Sequence, residues 1–131
     1  MRIVALDHGA VRTGVAISDE TATLARPLTT VAKVDTAPGF AALLALLEAE
    51  APGLVVVGLP VSLDGREHEQ ARHARSFAER LKAAVALPVE LYDERFTSRI
   101  ADQRGGRASR DARAAATLLE DYLRMMGEPT S

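Results

Sequence analysis

RIVALDHGAVRTGVAIS, residues 2–18, is the segment that decides the fold. Residues 2–7 are nearly continuously apolar and end in an aspartate, which predicts a buried strand that stops at an acid. A turn bracketed by Gly9 and Gly14 leads into a second apolar run that ends at Ser18. Because this connection is too short for a crossover, the two strands should form an antiparallel hairpin.

The rest of the chain alternates between short apolar runs and segments with helical spacing. After the hairpin, the predicted elements are a strand over 28–32, a helix over about 37–50, a strand over 54–58, a helix over 67–85, a strand over 88–92 and a helix over 111–126. This order predicts an α/β fold with a five-stranded mixed sheet flanked by helices. The first three strands should be antiparallel, and parallel crossovers should follow. No linker or repeat divides the sequence, so residues 1–131 are interpreted as a single domain.

Composition narrows the class of protein. Hydrophobic residues make up 47% and charged residues 26%, which is typical of a folded protein. The chain has no cysteine, which excludes disulfides and cysteine zinc sites, and an intracellular location fits this composition. No apolar run approaches the roughly 20 residues of a membrane helix, so no membrane partner is expected. The net charge of −2 does not by itself indicate a nucleic-acid binder.

Three acids lie at the ends of predicted elements. Asp7 ends the first strand, Glu94 follows the last strand, and Asp111 opens the last helix. Asp111 lies four residues before Ala115, so its side chain shares the helix face that packs on the sheet. Three carboxylates that converge there would repel one another unless a divalent cation neutralised them. Asp93 should point to the opposite face from its neighbour Glu94 if the strand stays extended.

Structural roles remain open for two of these acids. Asp7 can be a turn residue that accepts a backbone N–H from Gly9 or Ala10. Asp111 can be an ordinary first-turn acid that favours the helix dipole.

Several ordered motifs resemble those of the YqgF-type family, described as pre-16S rRNA nucleases and as Holliday-junction resolvases. The matching segments are LDHG (6–9), RTGVAISD (12–19), RPL (26–28), VGLP (57–60), LDG (63–65), DERFTS (93–98), DARAA (111–115) and LLEDYL (118–123). The resemblance implies a ribonuclease H-like fold with an acidic cluster of Asp7, Glu94 and Asp111. It also implies a cytoplasmic bacterial protein that trims the 5′ end of the small-subunit rRNA precursor. The departures are His8, Thr13, Phe96, Arg113 and a short 99–110 segment.

The resulting hypothesis is an endonuclease that hydrolyses phosphodiester bonds with one or two Mg²⁺ or Mn²⁺ ions held by these three acids. Candidate substrate contacts are Gly9, Arg12, Arg95, Thr97 and Ser98. Arginine gives bidentate contacts to phosphate and hydroxyls add single hydrogen bonds. Surface ion pairing is the open alternative for the two arginines. The three histidines, His8, His68 and His73, show no metal-ligand pattern.

Three other functions compete with rRNA processing. The first is a resolvase of Holliday junctions or other structured DNA. The second is a phosphate-binding module of the actin-like ATPase type, although such proteins hold nucleotide between two domains. The third is a non-catalytic RNA-binding or ribosome-assembly factor. The expected partners are therefore nucleic acid, with precursor rRNA favoured over structured DNA, and ribosomal assembly intermediates.

Overall fold

The chain forms its elements in the predicted order. The computed structural model describes residues 1–60, 68–93 and 109–127. The strands and helices are β1 Ile3–Asp7, β2 Arg12–Ser18, β3 Ala25–Ala32, α1 Ala37–Glu50, β4 Leu54–Leu59, α2 Glu69–Ala84, β5 Val89–Asp93 and α3 Arg110–Gly127.

The five strands form one mixed sheet in the order β3-β2-β1-β4-β5. β1 pairs antiparallel with β2, and β2 pairs antiparallel with β3. β4 runs parallel to both β1 and β5. The α/β architecture, with three antiparallel strands followed by parallel crossovers, is confirmed.

Both faces of the sheet are covered by helices, because alternate residues of the central strands are apolar on each side. α1 and α2 pack on one face, and α3 packs on the other across β1, β2 and β3. The first face buries Val4, Leu6, Val15, Ile17, Val55 and Val57 with Leu43, Leu47, Phe77 and Leu81. The α3 face buries Ile3, Ala5, Ala16, Leu54 and Val56 with Ala115, Leu118, Leu119 and Tyr122. Small residues on this second face allow α3 to approach the sheet closely.

Two strands begin earlier than the sequence predicted. β2 starts at Arg12, so Gly14 lies inside the strand and does not close the turn. β3 starts at Ala25 and includes Pro27, which pairs opposite Ala16 next to a register shift that leaves Leu28 as an extra residue in β3. Because β3 is an edge strand, a proline without an N–H is tolerated there. The remaining described boundaries agree within two residues, and the predicted first residue of α2, residue 67, lies outside the described residues.

α1 begins where the sequence predicts it, and its C-cap residue has a strained backbone conformation. Thr36 is the N-cap, and its hydroxyl oxygen accepts the Gly39 N–H at 3.3 Å. Ala51 caps the other end in the left-handed region, with φ 49° and ψ 55°, and its N–H donates to Leu47 O at 2.8 Å. A side chain is disfavoured in this conformation, which glycine adopts freely.

We expect Ala51→Gly to raise the free energy of unfolding by about 0.5–1 kcal/mol, because glycine relieves the left-handed strain. Urea denaturation measures the change. Ala45→Gly is the matched control, since Ala45 is an exposed residue inside α1. That variant should lose about 1 kcal/mol. Equal destabilisation by both substitutions would contradict the strain at Ala51.

Within the described ranges, no helix is both long and apolar enough to cross a membrane.

Candidate active site

Asp7 lies at the edge of the sheet where several elements meet. The parallel strands β1, β4 and β5 end at this edge, at Asp7, Leu59 and Asp93, and the antiparallel β2 begins there at Arg12. We call it the site edge. In open α/β sheets, ligands bind outside the carboxyl ends of the strands, so this is where a catalytic site is expected.

Strand alternation places the Asp7 side chain on the α3 face. Ile3 and Ala5, which precede it at intervals of two, belong to the core under α3. Asp7 itself is half-buried, and its Cα partner across the hairpin is Gly14. The first of the predicted acids therefore projects from a rigid strand end towards the start of the last helix.

Gly14 brings that helix against the strand. A Cβ added to Gly14 would lie 1.9 Å from the carbonyl oxygen of Asp111 and 2.4 Å from its carbonyl carbon. Only glycine permits this approach, because any side chain would overlap the helix backbone. Asp7 is the neighbour of Gly14 within the sheet, and the Asp111 backbone packs on Gly14 from the α3 face. The structure thus places the backbones of these two acids next to the same residue, Gly14.

The start of α3 is fixed by its own hydrogen bonds. The hydroxyl of Ser109 accepts the N–H of Ala112 at 3.1 Å, and the Ser109 carbonyl accepts the N–H of Arg113 at 2.9 Å. The first of these bonds satisfies an amide group that a helix leaves unpaired in its first turn, and the second is the first i to i−4 bond of the helix. Asp111 therefore stands in a well-defined first turn, two residues after the serine.

Arg12 contacts Asp111 directly. Its Nε donates to Asp111 Oδ2 at 3.0 Å, and the two side chains are 61% and 37% exposed. Arg12 shares the α3 face with Gly14 and Ala16 by strand alternation. Of the two roles that the sequence left open for Arg12, the structure shows the ion pair, and the partner is the predicted acid Asp111.

β5 is tied to α3 by two tyrosines. The buried Tyr122 donates its hydroxyl to Glu90 and packs edge-on against Tyr92, with ring centroids 5.7 Å apart. Burial and the Glu90 carboxylate raise the pKa of Tyr122 above its ordinary value, so the phenol remains a donor. Glu90 and Tyr92 therefore lie on the α3 face. Alternation gives Asp93 the opposite face, away from Asp7.

His8 directly follows β1, and its side chain lies on the face of the sheet that α1 and α2 cover. Its side chain is only 5% exposed, and its Nε2 lies 3.0 Å from an Asp35 carboxylate oxygen. Its ring stacks on Phe77 at 4.8 Å. Arg80 reaches the other Asp35 oxygen at 3.6 Å. His8 thus links the residue after Asp7 to the segment before α1 and to α2, on the face opposite the acids.

The remaining predicted residues divide into two groups. The Gly9 N–H donates to the buried Thr13 hydroxyl at 3.5 Å, which places both residues in the packing of the hairpin turn. Glu94, Arg95, Thr97 and Ser98 lie outside the described residues, and their roles stay predictions. Among residues 1–60, 68–93 and 109–127, no group of three His, Cys, Asp or Glu side chains could hold a metal ion.

Two residues that shape the site were not predictable as such from local sequence patterns. The sequence predicts a turn that ends at Gly14, although a glycine inside a strand pattern can also indicate a close approach of another backbone. Asp35 was not identified, because its partner His8 is 27 positions away and no periodicity connects them.

A family model described as "RuvX: Holliday junction resolvase" matches residues 1–125. A protein of Anaeromyxobacter sp. (strain Fw109-5) named "Putative pre-16S rRNA nuclease" is 41% identical over 132 residues, which cover 94% of this chain and 96% of that protein. A protein of Nitrosomonas europaea with the same name is 46% identical over 99 residues, covering 76% and 67%.

Solved structures share the fold at low sequence identity. Thermus thermophilus RuvC superposes with a TM-score of 0.60 at 19% identity, covering 96% of this chain and 97% of that one. Fowlpox virus resolvase, solved with substrate Holliday junction DNA, has a TM-score of 0.58 at 10% identity, covering 98% and 100%. These likenesses confirm the predicted ribonuclease H-like fold.

Proposed function

Because the chain belongs to the RuvX (Holliday junction resolvase) family of nucleases, we propose that it is a divalent-metal-dependent endonuclease. Its acids are Asp7, Glu94 and Asp111. The observation that carries the proposal is the convergence on Gly14, where Asp7 is the strand partner and the Asp111 backbone is in contact.

The donor chemistry on this face fits a hard cation. Mg²⁺ and Mn²⁺ prefer oxygen ligands, and Asp7 and Asp111 offer carboxylate oxygens from a strand end and a helix start. The β1–β2 pairing and the first turn of α3 hold the two backbones in fixed relation. A bound cation would activate a water molecule and stabilise the leaving oxygen of a phosphodiester.

The chain's own residues supply orientation and charge. Asp7 and Asp111 supply carboxylate groups at the site edge, and Arg12 offers a guanidinium beside Asp111 for a substrate phosphate. The hydrogen bond between Tyr122 and Glu90 ties β5 to α3, and the predicted third acid, Glu94, directly follows β5 in the sequence. His8 is not assigned a catalytic role, because its ring contacts Asp35 and Phe77 on the other face.

The neighbouring acids Asp93 and Glu94 provide a paired prediction. We expect Glu94→Gln to lower metal-dependent cleavage at least about a hundredfold, because it removes a proposed ligand charge. Asp93→Asn should keep activity within about threefold, since Asp93 faces away from Asp7. Initial cleavage rates in Mn²⁺ compare the two. A larger loss of activity in Asp93→Asn than in Glu94→Gln would identify Asp93, not Glu94, as the third metal ligand.

The proposed substrate is precursor 16S rRNA, cut during processing of its 5′ end in the cytoplasm. The names of relatives at 41% and 46% identity support this assignment. The family description and the fold of the resolvases support a second candidate, cleavage of four-way DNA junctions.

A cleavage assay tests the proposal on three end-labelled substrates: a precursor rRNA fragment that spans the mature 5′ end, a single strand of unrelated sequence, and a four-way DNA junction. Each is incubated with Mg²⁺, with Mn²⁺ and with a chelator. We expect internal cuts in the rRNA fragment that require a metal.

The other outcomes identify the rivals. Symmetric cuts in the junction alone would favour the resolvase. Binding of the rRNA fragment without cleavage in either metal would favour a non-catalytic assembly factor.

A further inference from the structure

The ion pair between Arg12 and Asp111 joins residues that are 99 positions apart in the sequence. Its two side chains are both open to solvent, at 61% and 37% exposure. The proposed function gives these groups different partners, because Asp111 would bind a cation and Arg12 a substrate phosphate. The ion pair therefore competes with cation binding at Asp111 and with phosphate binding at Arg12.

We propose that Arg12 is the counter-ion of Asp111, and that a divalent cation has to displace Arg12 in order to bind this carboxylate. Cation binding and release of the guanidinium are then one exchange. The inference rests on the proposed function, in which Asp111 is a metal ligand.

Asp111 does not need Arg12 to be held in place. Its carbonyl rests against Gly14, and the Ser109 hydroxyl fixes the first turn of the helix through the Ala112 N–H. The backbone that carries the carboxylate is therefore set by the fold. The main effect of Arg12 on a cation at Asp111 is electrostatic.

That electrostatic effect has a definite sign. The guanidinium donates to Oδ2 of the carboxylate, so a cation on the same group meets a positive charge a few ångströms away. Like charges at this distance disfavour each other, although solvent and salt screen the interaction. Loss of the Arg12 charge should therefore strengthen binding of a divalent cation, by about three- to tenfold at this exposed site.

The test is a calorimetric titration of the whole protein with Mn²⁺, without nucleic acid. We expect Arg12→Gln to bind Mn²⁺ about three- to tenfold more tightly than wild type. Arg12→Lys should remain within about twofold of wild type, because it keeps the charge. A role limited to holding Asp111 would give the opposite sign, since the glutamine variant would then bind more weakly.

Arg2→Gln is the matched control. Arg2 makes an ion pair of the same geometry, Nε to Glu20 Oε1 at 2.9 Å, at the other end of β1. Its removal should leave Mn²⁺ affinity unchanged. A tightening as large as that of Arg12→Gln would show a general charge effect and overturn the exchange.

Asp111→Asn separates the two levels of the proposal. Loss of Mn²⁺ affinity in this variant is expected. Absent binding by wild type, or unchanged binding by Asp111→Asn, would overturn the proposed site and the exchange with it. Binding that depends on Asp111 but is not tightened by Arg12→Gln would overturn the exchange alone.

Discussion

Asp7→Asn is expected to lower the rate of metal-dependent phosphodiester cleavage by about a thousandfold or more, while the protein still folds. Asparagine keeps the size of the side chain and removes the negative charge. In the proposed mechanism a bound cation would supply several kcal/mol of transition-state stabilisation, and each 1.4 kcal/mol corresponds to about tenfold in rate. Initial rates on the precursor rRNA fragment in Mn²⁺ measure the loss.

The fold of this variant is checked by circular dichroism and thermal unfolding. Asp7 is half-buried at a strand end, and the apolar core under it, Ile3 and Ala5, is untouched. The melting temperature should therefore stay close to that of wild type. A purified, folded Asp7→Asn protein that cleaves as fast as wild type would end the proposed mechanism.

Gly14→Ala is expected to lower the free energy of unfolding by about 3 kcal/mol or more. The added methyl group would lie 1.9 Å from the Asp111 carbonyl oxygen, and a helix backbone cannot yield as a flexible side chain can. α3 must shift away from β2, which also moves Asp111 relative to Asp7. We therefore expect both stability and Mn²⁺ affinity to fall, as measured by urea denaturation and by titration.

Gly39→Ala is the matched control for this second effect. A Cβ at Gly39 would also lie 1.9 Å from a backbone oxygen, that of Lys33, but at the start of α1 on the opposite face. Both variants should lose stability, and only Gly14→Ala should lose Mn²⁺ affinity when each is measured under conditions where it is folded. Equal affinity in the two variants would contradict the role of Gly14 in placing Asp111.

The sheet topology was predictable because its apolar segments have distinct lengths and spacings. The short turn after Asp7 requires a hairpin, and the helical spacing over 37–50 requires a crossover before the next strand. The α3 face was also predictable, since Asp111 and Ala115 share one side of the helix. These inferences depend only on local periodicity, which the sequence carries directly.

Contacts between distant residues were not predictable. The Arg12–Asp111 pair depends on how closely α3 approaches β2, and that distance is set by a single glycine. The early start of β3 depends on its edge position, where a proline without an N–H is tolerated. Such features follow from three-dimensional packing and have no counterpart in local spacing.

The docking of α3 on the hairpin has a consequence for the order of events during synthesis. The first strands of the chain are covered by its last helix, so Ile3, Ala5 and Ala16 stay uncovered until α3 has emerged. Contacts of such long sequence separation form late and slow the folding of a domain. A growing polypeptide therefore carries Asp7 before Asp111 has been made, and these two proposed metal ligands come together only when α3 docks on the hairpin.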